Sequence, residues 1–572
     1  MTTAQSPEFV GYPAEFARSY RAAGLWEDRT IPAALRHTAG TYPDAPALVT
    51  PAGRWSYREL ARYVDNIAAG LVTAGLQPAD PVILQITNTA HGIAAYYGIL
   101  RAGGRPVCTL AIHRRHEIAA IGRKTRAVAH LVQADLPGFD LAAFAAEITA
   151  EIPTMTMLLT IGAAGDTAGA AGAGLRIEDL AGRDATADEL AALDRIERAT
   201  DLDAPAVLQL SGGTTGTPKI IPRLHPEYWY NGAAIAAWWS LTPSDRLAFC
   251  LPVVHNAGTA NALFAAHSAG AALLLTTPRP DDLLPFMAEH GATWALLPPG
   301  LAAEFLADPR FGAAFASVRN LVLSAAAVPR PLFDDLERRG VHTTQAFGMT
   351  EGLFLFTPYD APGDVRAGSV GIPISPLDEV RLLEPGTETP VPDGGTGELC
   401  ARGPYTIRGY LSEPERNREA FTSDGFYRSG DLAARVEIAG QPTYVLKGRT
   451  KDLINRGGEK INAEEVEMLL VSHPAIAEAA LVAMPDPRLG ERACAFVATR
   501  VGQQPPTLPE LREYLEARGV AKYKWPERLE YVEALPRTNV GKVLKRNLRA
   551  AIAPATGAAE PVPEMQAREA AT

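Results

Sequence analysis

PVILQITNTAHGIAAYYGILRAGGRPVCTL, residues 81–110, decides the fold class. Residues 81–86 are a short apolar run that reads as a strand, residues 91–102 read as a helix, and residues 106–110 as another strand. Strand, helix and strand in that order form a βαβ unit, which implies parallel sheets with helices packed on their faces. Working outward, Ser56-Tyr-Arg-Glu59 is a capping box, in which hydroxyl and carboxylate satisfy orphan backbone N–H groups. Leu60, Val64, Ile67, Leu71 and Val72 follow at helical spacing, with Gly75 as the stop. Strand-like runs recur at residues 207–210, 294–297 and 321–323. The style changes near residue 450, after which come a helix at 463–470, a strand at 479–484 and a helix opened by a second capping box, Thr507-Leu-Pro-Glu510. The expected fold is α/β: a large N-terminal domain of βαβ sheets with a β-subdomain, residues 1–450, and a small mobile α+β C-terminal domain, residues 451–550. A frayed tail is expected over 551–572, and the low-complexity stretch 162–174 reads as a surface loop.

The chain has 572 residues, 47% of them hydrophobic and 21% charged, as in an ordinary globular protein, and its length suggests several domains. A formal charge of −11 argues against broad nucleic-acid binding, although residues 537–549 form a small basic patch. Cys108, Cys250, Cys400 and Cys494 lie too far apart for a redox or zinc motif and read as buried hydrophobes. The N-terminus shows no secretory signal, and no apolar run reaches the roughly 18–20 residues of a membrane span. The longest candidate, 262–275, is broken by His267 and Ser268. A cytoplasmic enzyme with no nucleic-acid or membrane partner is the expectation.

The most informative chemistry lies in Ser211-Gly-Gly-Thr-Thr-Gly-Thr-Pro-Lys219, directly after the strand at 207–210. Gly212, Gly213 and Gly216 let the backbone bring N–H groups close to an anion. Ser211, Thr214, Thr215 and Thr217 add hydroxyl donors, and Lys219 adds a mobile positive charge. Such a loop fits a polyphosphate. It is neither a Walker A loop nor GxGxxG, and Pro218 and Pro222 prevent a helix from starting where a P-loop needs one.

This loop resembles the signature of the adenylate-forming superfamily, which includes acyl-CoA synthetases, nonribosomal peptide adenylation domains and luciferases. Phe347-Gly-Met-Thr-Glu351, Tyr427-Arg-Ser-Gly-Asp431, Gly448-Arg-Thr-Lys-Asp452, the loop at 455–460 and PRTNVGK at 536–542 resemble its other motifs in order. The opening PAEFARSYRAAGLWED, the segment IPRLHPEYWYN and RGPYTIRGY are similar to stand-alone aryl acid–AMP ligases. The resemblance implies ATP as cosubstrate, with the 211–219 loop on its phosphates and Glu351 as the Mg²⁺ ligand. It places Phe347, Gly348, Thr350, Ala325 and Ala326 at the nucleotide, Asp431 on the ribose hydroxyls and Arg449 nearby. Lys542 is then the adenylation lysine, bridging carboxylate and departing phosphate, while Lys545 reads as a solvated neighbour. Lys451 occupies the hinge, and Gly457 and Gly458 line the channel for a pantetheine thiol.

In the aryl subgroup the substrate pocket begins His-Asn, here His255-Asn256, and His255 is also carried over as a catalytic residue. Asn256 implies an ortho-hydroxy or ortho-amino aromatic acid. The pocket departs from the dihydroxybenzoate pattern at Ala257, at Asn261 and at Ser324-Ala-Ala-Ala327, where the subgroup reads S-G-G-A. Losing a Tyr opens space while Gly to Ala closes some. The implied acceptor is an aryl carrier protein acting in trans, with free coenzyme A as the alternative. A catalytically silent relative predicts degenerate motifs, yet Lys542, Asp431 and Glu351 are all present.

Overall fold

The computed structural model describes residues 8–162, 174–211, 219–456, 459–486, 488–538 and 542–552. The chain divides into two compact units, Met1–Lys447 and Gly448–Thr572. The βαβ reading appears as the strand Pro81–Gln85, the helix Ala90–Arg101 and the strand Arg105–Cys108, with the strands parallel and Leu84 opposite Cys108. The helix begins one residue before the expectation because the Thr89 hydroxyl caps it, accepting the Gly92 N–H at 3.1 Å. The Ser56 box forms as read: Ser56 Oγ accepts the Glu59 N–H at 3.3 Å, and Glu59 accepts the Ser56 N–H at 2.7 Å.

Among the described residues, the first unit holds a seven-stranded, a nine-stranded and a four-stranded sheet. The seven-stranded sheet is parallel except where Pro205–Leu210 meets Ile220–Leu224 antiparallel. The two larger sheets share one core. Ile67, Tyr97 and Tyr228 from three helices pack with Leu84 and Leu131 of one sheet and with Leu247 and Leu273 of the other. This arrangement holds the edges of both sheets around the segments that carry the motifs.

At the junction of sheet and helix, Arg223 closes its strand and Glu227 sits in the first turn of the helix His225–Trp238. The two side chains pair at 2.7 and 2.8 Å and both are fully buried. Burial alone would lower the arginine pKa, but the facing carboxylate outweighs it and the guanidinium stays charged. Arg223 also donates to the Thr350 carbonyl at 2.9 Å and, more weakly, to the Tyr405 carbonyl at 3.4 Å. One side chain thereby ties three chain segments together.

The second unit contains a five-stranded sheet and the helices Ala463–Val471, Leu508–Glu516 and Lys545–Ile552. Residues 551 and 552, expected in a frayed tail, close the helix Lys545–Ile552. Leu548 and Ile552, one helical turn apart, are buried with Val482 and Phe496, which fixes residues 551 and 552. Lys545, read as solvated, pairs with Glu467 at 2.6 Å. Arg537 meets Glu478 at 2.6 Å and Arg549 meets Asp452 at 2.5 Å, so these members of the basic run have acidic partners inside their own unit. Residues 163–173 and 553–572 lie outside the described residues. The four cysteines are buried and unpaired, and no helix among the described residues is long and apolar enough to cross a membrane.

Two stability predictions follow from buried charge. Glu227→Ala strands the Arg223 guanidinium in the core and should cost about 3–5 kcal/mol in urea unfolding; a loss comparable to a surface substitution would refute the bridging role. The second concerns Asp378, which accepts from the Tyr405 hydroxyl at 2.5 Å and whose burial lifts its pKa to about 7. Because the folded state holds this proton more tightly than the unfolded chain, the contribution is present at low pH and is lost as pH rises through about 4 to 7. Asp378→Asn should remove that component, so the stability gap between variant and parent should widen in the variant's favour between about pH 5 and pH 8.

Candidate functional site

The site in the first unit is built on the mouth of the 211–219 loop. The strands Pro205–Leu210 and Ile220–Leu224 pair antiparallel, and their ladder extends one step. Ser211 N–H donates to the Lys219 carbonyl at 3.0 Å, and Lys219 N–H donates to Ser211 Oγ at 3.2 Å. Gly212, Gly213, Thr214, Thr215, Gly216 and Thr217 lie outside the described residues. Lys219 Nζ stands 3.3 Å from the Tyr410 hydroxyl and 4.6 Å from the centre of that ring. The same hydroxyl donates to Glu351 Oε1 at 2.8 Å and lies 2.9 Å from the Tyr427 hydroxyl.

Glu351 occupies the turn between the antiparallel strands Thr343–Met349 and Gly352–Phe356. Its carbonyl accepts the Ile407 N–H at 2.9 Å, and Gly352 follows at φ +123°. A Cβ there would stand 2.5 Å from Thr406 Cα and 2.6 Å from the Tyr405 oxygen, so the close approach that fixes Glu351 requires glycine. Phe347 is half-buried against the cluster containing Met349 and Leu353, Gly348 is exposed, and Thr350 is buried. Tyr427 and Asp431 lie four apart on the strand Tyr427–Ile438, with a register shift and Gly430 at φ +71° between them. The Asp431 N–H is held by Ser429 Oγ at 3.0 Å. Burial, then the nearby Glu351, Tyr410 and Asp431, push the Tyr427 pKa well up, which keeps this phenol protonated.

The second group surrounds residue 256. His255 precedes a short helical turn, and its Nδ1 accepts the Ala257 N–H at 3.3 Å. That bond assigns the neutral ring its proton on Nε2. Asn256 is buried, and its Oδ1 accepts from the Tyr228 hydroxyl at 2.9 Å and from Arg223 at 3.4 Å. Gln209 in turn donates to the Tyr228 oxygen at 2.9 Å and to the Val254 carbonyl at 3.1 Å. A π-helix, Thr259–Phe264, continues the chain and carries Asn261, which is 4% exposed and whose Oδ1 has no hydrogen-bond partner among the described residues. Ala257 precedes it by four residues and is half-buried. Ser324 ends the strand Asn320–Ser324, and Ala325, Ala326 and Ala327 are exposed, with Ala325 at φ +76°.

Arg449, Lys451 and Lys542 belong to the second unit. Gly448 takes φ +99°, and a Cβ there would meet Asn462 Oδ1 at 2.7 Å, so the turn into this unit needs glycine. Arg449 is exposed, as is Lys451 in the 3₁₀ turn Thr450–Asp452. Lys542 is exposed; its carbonyl accepts the Thr538 N–H at 2.7 Å, and its own N–H donates to Thr538 Oγ1 at 3.1 Å. Gly457 and Gly458 lie outside the described residues. The structure thus joins Lys219, Glu351 and the Tyr427 end of the Asp431 strand directly, and joins Asn256 to the Thr350 turn through Arg223.

With this geometry in place, comparison with known proteins is decisive. The family described as AMP-binding enzyme matches residues 35–411, and the AMP-binding enzyme C-terminal domain matches residues 465–542. The chain belongs to the AMP-binding enzyme family. It is an adenylate-forming ligase, a class that uses ATP. It is 36% identical to the 2,3-dihydroxybenzoate-AMP ligase of Bacillus subtilis, over 95% of this chain and 97% of the other. It is also 36% identical to the salicyl-AMP ligase / salicyl-S-ArCP synthetase of Mycobacterium tuberculosis, over 96% and 95% of the two chains. The apo structure of MbtA from Mycobacterium smegmatis matches with a TM-score of 0.70 at 36% identity, over 95% of this chain and 98% of that one.

Sequence reading of this AMP-binding enzyme passed over Tyr410, Tyr427, Arg223, Glu227 and Tyr228. Tyr410 and Tyr427 do stand in quoted motifs, at the end of RGPYTIRGY and the start of YRSGD, but nothing along the chain announces that their hydroxyls meet. At Ala325 the left-handed backbone disfavours any side chain. Ala325→Gly should therefore raise stability by up to about 1 kcal/mol, read as a shifted denaturant midpoint; a destabilised variant would show that the methyl group makes compensating contacts.

Proposed function

We propose that this ligase activates an ortho-hydroxy or ortho-amino aromatic carboxylic acid with ATP and then passes the aryl group to the phosphopantetheine thiol of a carrier protein. In the first step a carboxylate oxygen attacks the α-phosphorus, the bond to the β-phosphate oxygen breaks, and pyrophosphate leaves. In the second, the thiol sulfur attacks the acyl carbon, AMP departs, and the thiol proton is lost. The observation that carries the nucleotide half is the convergence of Lys219 and Glu351 on one hydroxyl at the mouth of the glycine-rich loop. The names of the two similar ligases support the aryl acid and the carrier.

In this reading Ser211 to Lys219 hold the polyphosphate, Phe347 covers the adenine with Gly348, Ala325 and Ala326 beside it, and Asp431 accepts the ribose hydroxyls. Among the described residues no cluster of three or more His, Cys, Asp or Glu forms a ready-made metal cage. A hard cation here fits Glu351 together with nucleotide oxygens and water, as is usual for Mg²⁺. Bound there, Mg²⁺ would supply neutralisation of phosphate charge. Asn256 and His255 orient the ring, the latter through its Nε2–H, while Ala257, Ser324 and Ala327 shape its space. The unsatisfied amide of Asn261 receives a second ring substituent. Arg449 and Lys542 come from the second unit, Lys542 to the reacting carboxylate and phosphate. Rotation about Lys451 would then exchange it for the Gly457-Gly458 loop when the thiol enters.

Pyrophosphate exchange into ATP across a panel of ortho-hydroxy and ortho-amino aryl acids, bicyclic ones included, tests this. Exchange should require such an acid, and Lys542→Ala should lower it at least about 100-fold. Exchange driven only by aliphatic acids, or unchanged in the variant, would sink the proposal. Comparing thioester formation on a carrier protein with that on coenzyme A assigns the acceptor; rapid turnover on coenzyme A alone removes the carrier from it.

A further inference from the structure

We infer that Tyr410 is a positioning residue whose hydroxyl keeps Lys219 and Glu351 from neutralising each other, so that neither charge is spent on the other before the nucleotide arrives. The inference rests on the nucleotide half of the proposed function and adds a residue to which no role was given there. A phenol oxygen carries one proton and two lone pairs. The proton goes to Glu351 Oε1 at 2.8 Å. Lys219 Nζ donates to one lone pair at 3.3 Å, which leaves the other for the Tyr427 hydroxyl at 2.9 Å, so Tyr427 must be the donor in that contact. Every valence of the Tyr410 hydroxyl is then used, two of them on groups of opposite charge.

Lys219 and Glu351 thus lie within two hydrogen-bond lengths of one another. Unlike charges at that spacing, beside buried aromatic rings, attract strongly. A direct ion pair would spend the ammonium on the carboxylate before any phosphate arrived. The hydroxyl prevents this by bonding to both and by occupying the space between them. It is itself held in place from several sides. Tyr410 N–H donates to Asn417 Oδ1 at 2.8 Å, its carbonyl accepts from Asn417 Nδ2 at 3.0 Å, and the Leu411 N–H donates to the Ile220 carbonyl at 3.0 Å. At the preceding Gly409 a Cβ would stand 2.9 Å from both Asn417 Nδ2 and Val10. The ring is fully buried, so its hydroxyl cannot swing out from between the two charges.

A double-mutant cycle on the full chain tests this, read by calorimetric binding of ATP with magnesium in the absence of any aryl acid. The unsubstituted protein first establishes that nucleotide binds at all; absence of binding there refutes the proposed nucleotide site, and the spacer with it. Tyr410→Phe should then weaken binding about tenfold, because Lys219 and Glu351 collapse onto each other. In a Lys219→Met background no collapse is possible, so adding Tyr410→Phe should cost less than about twofold. Unchanged binding in Tyr410→Phe, or an equal penalty in both backgrounds, overturns the inference in favour of a purely structural tyrosine. Tyr410→4-aminophenylalanine keeps a donor to Glu351 and fills the space between the two charges, although its single lone pair serves Lys219 or Tyr427 and not both, and it should bind nucleotide within about threefold of the parent. A tenfold loss there overturns the inference even if the phenylalanine variant does not fold.

Discussion

The buried Arg223–Glu227 pair is the constraint around which the first unit is organised. A fully desolvated ion pair is weak evidence of net stability, since hydrophobic side chains of the same volume often do as well. Its value here is geometric. The guanidinium has five donors in a fixed plane, and they reach the helix through Glu227, the Glu351 turn through the Thr350 carbonyl, the RGPYTIRGY segment through the Tyr405 carbonyl and the segment after His255 through Asn256. No apolar replacement offers that directional bonding. The pocket proposed for the ring and the turn that carries Glu351 are therefore set by the same side chain, and the spacing between them depends on it.

The two halves of the proposed site are built differently. Around Glu351, Tyr410 and Tyr427 the hydroxyl contacts are 2.8 and 2.9 Å long, Lys219 stands 3.3 Å from the shared oxygen, and Gly352 lies too close to backbone for a larger residue. Around Asn261 and Ala325–Ala327 the structure is less settled. There a buried amide oxygen has no partner among the described residues, a π-helix interrupts regular winding, and an alanine occupies left-handed backbone. The unsatisfied amide at Asn261 lies where the ring is proposed to sit, and the strained alanine at 325 lies where the adenine is proposed to sit.

Much of this could be read from the sequence, and the reason is local. The βαβ reading held because residues 81–110 carry both periodicities and their cap within thirty positions of each other. Both capping boxes formed for the same reason. Lys219 was legible because it closes a run of glycines and threonines that offers its charge nothing apolar to pack against, whereas Glu351 was legible only through the resemblance of its motif. The hydroxyl they share was not legible, because it joins positions 219, 351, 410 and 427, which are near only after three sheets have formed. Arg223 and Glu227 have helical spacing, yet one closes a strand and the other opens a helix, so the spacing gave no hint of the pair. Residues 551 and 552 were misjudged because composition hid the helical spacing of Leu548 and Ile552, which reach the core.

Lys219, Ile221 and Arg223 alternate along one strand, and alternation gives them a common face, with Ile221 packed beside Met349 and Tyr410 while Ile220 turns to Leu208 and Leu210. Inserting or deleting one residue between Ser211 and Lys219 in a way that slipped the ladder would turn the whole face over at once. Register and loop length are thereby coupled: a change in length is harmless only where the loop, and not the ladder, absorbs it. Substitutions around positions 255–261 and 324–327, where the ring and the adenine are proposed to sit, carry no such penalty. For anyone altering the substrate range, the two strands that flank the loop are a part to be kept whole.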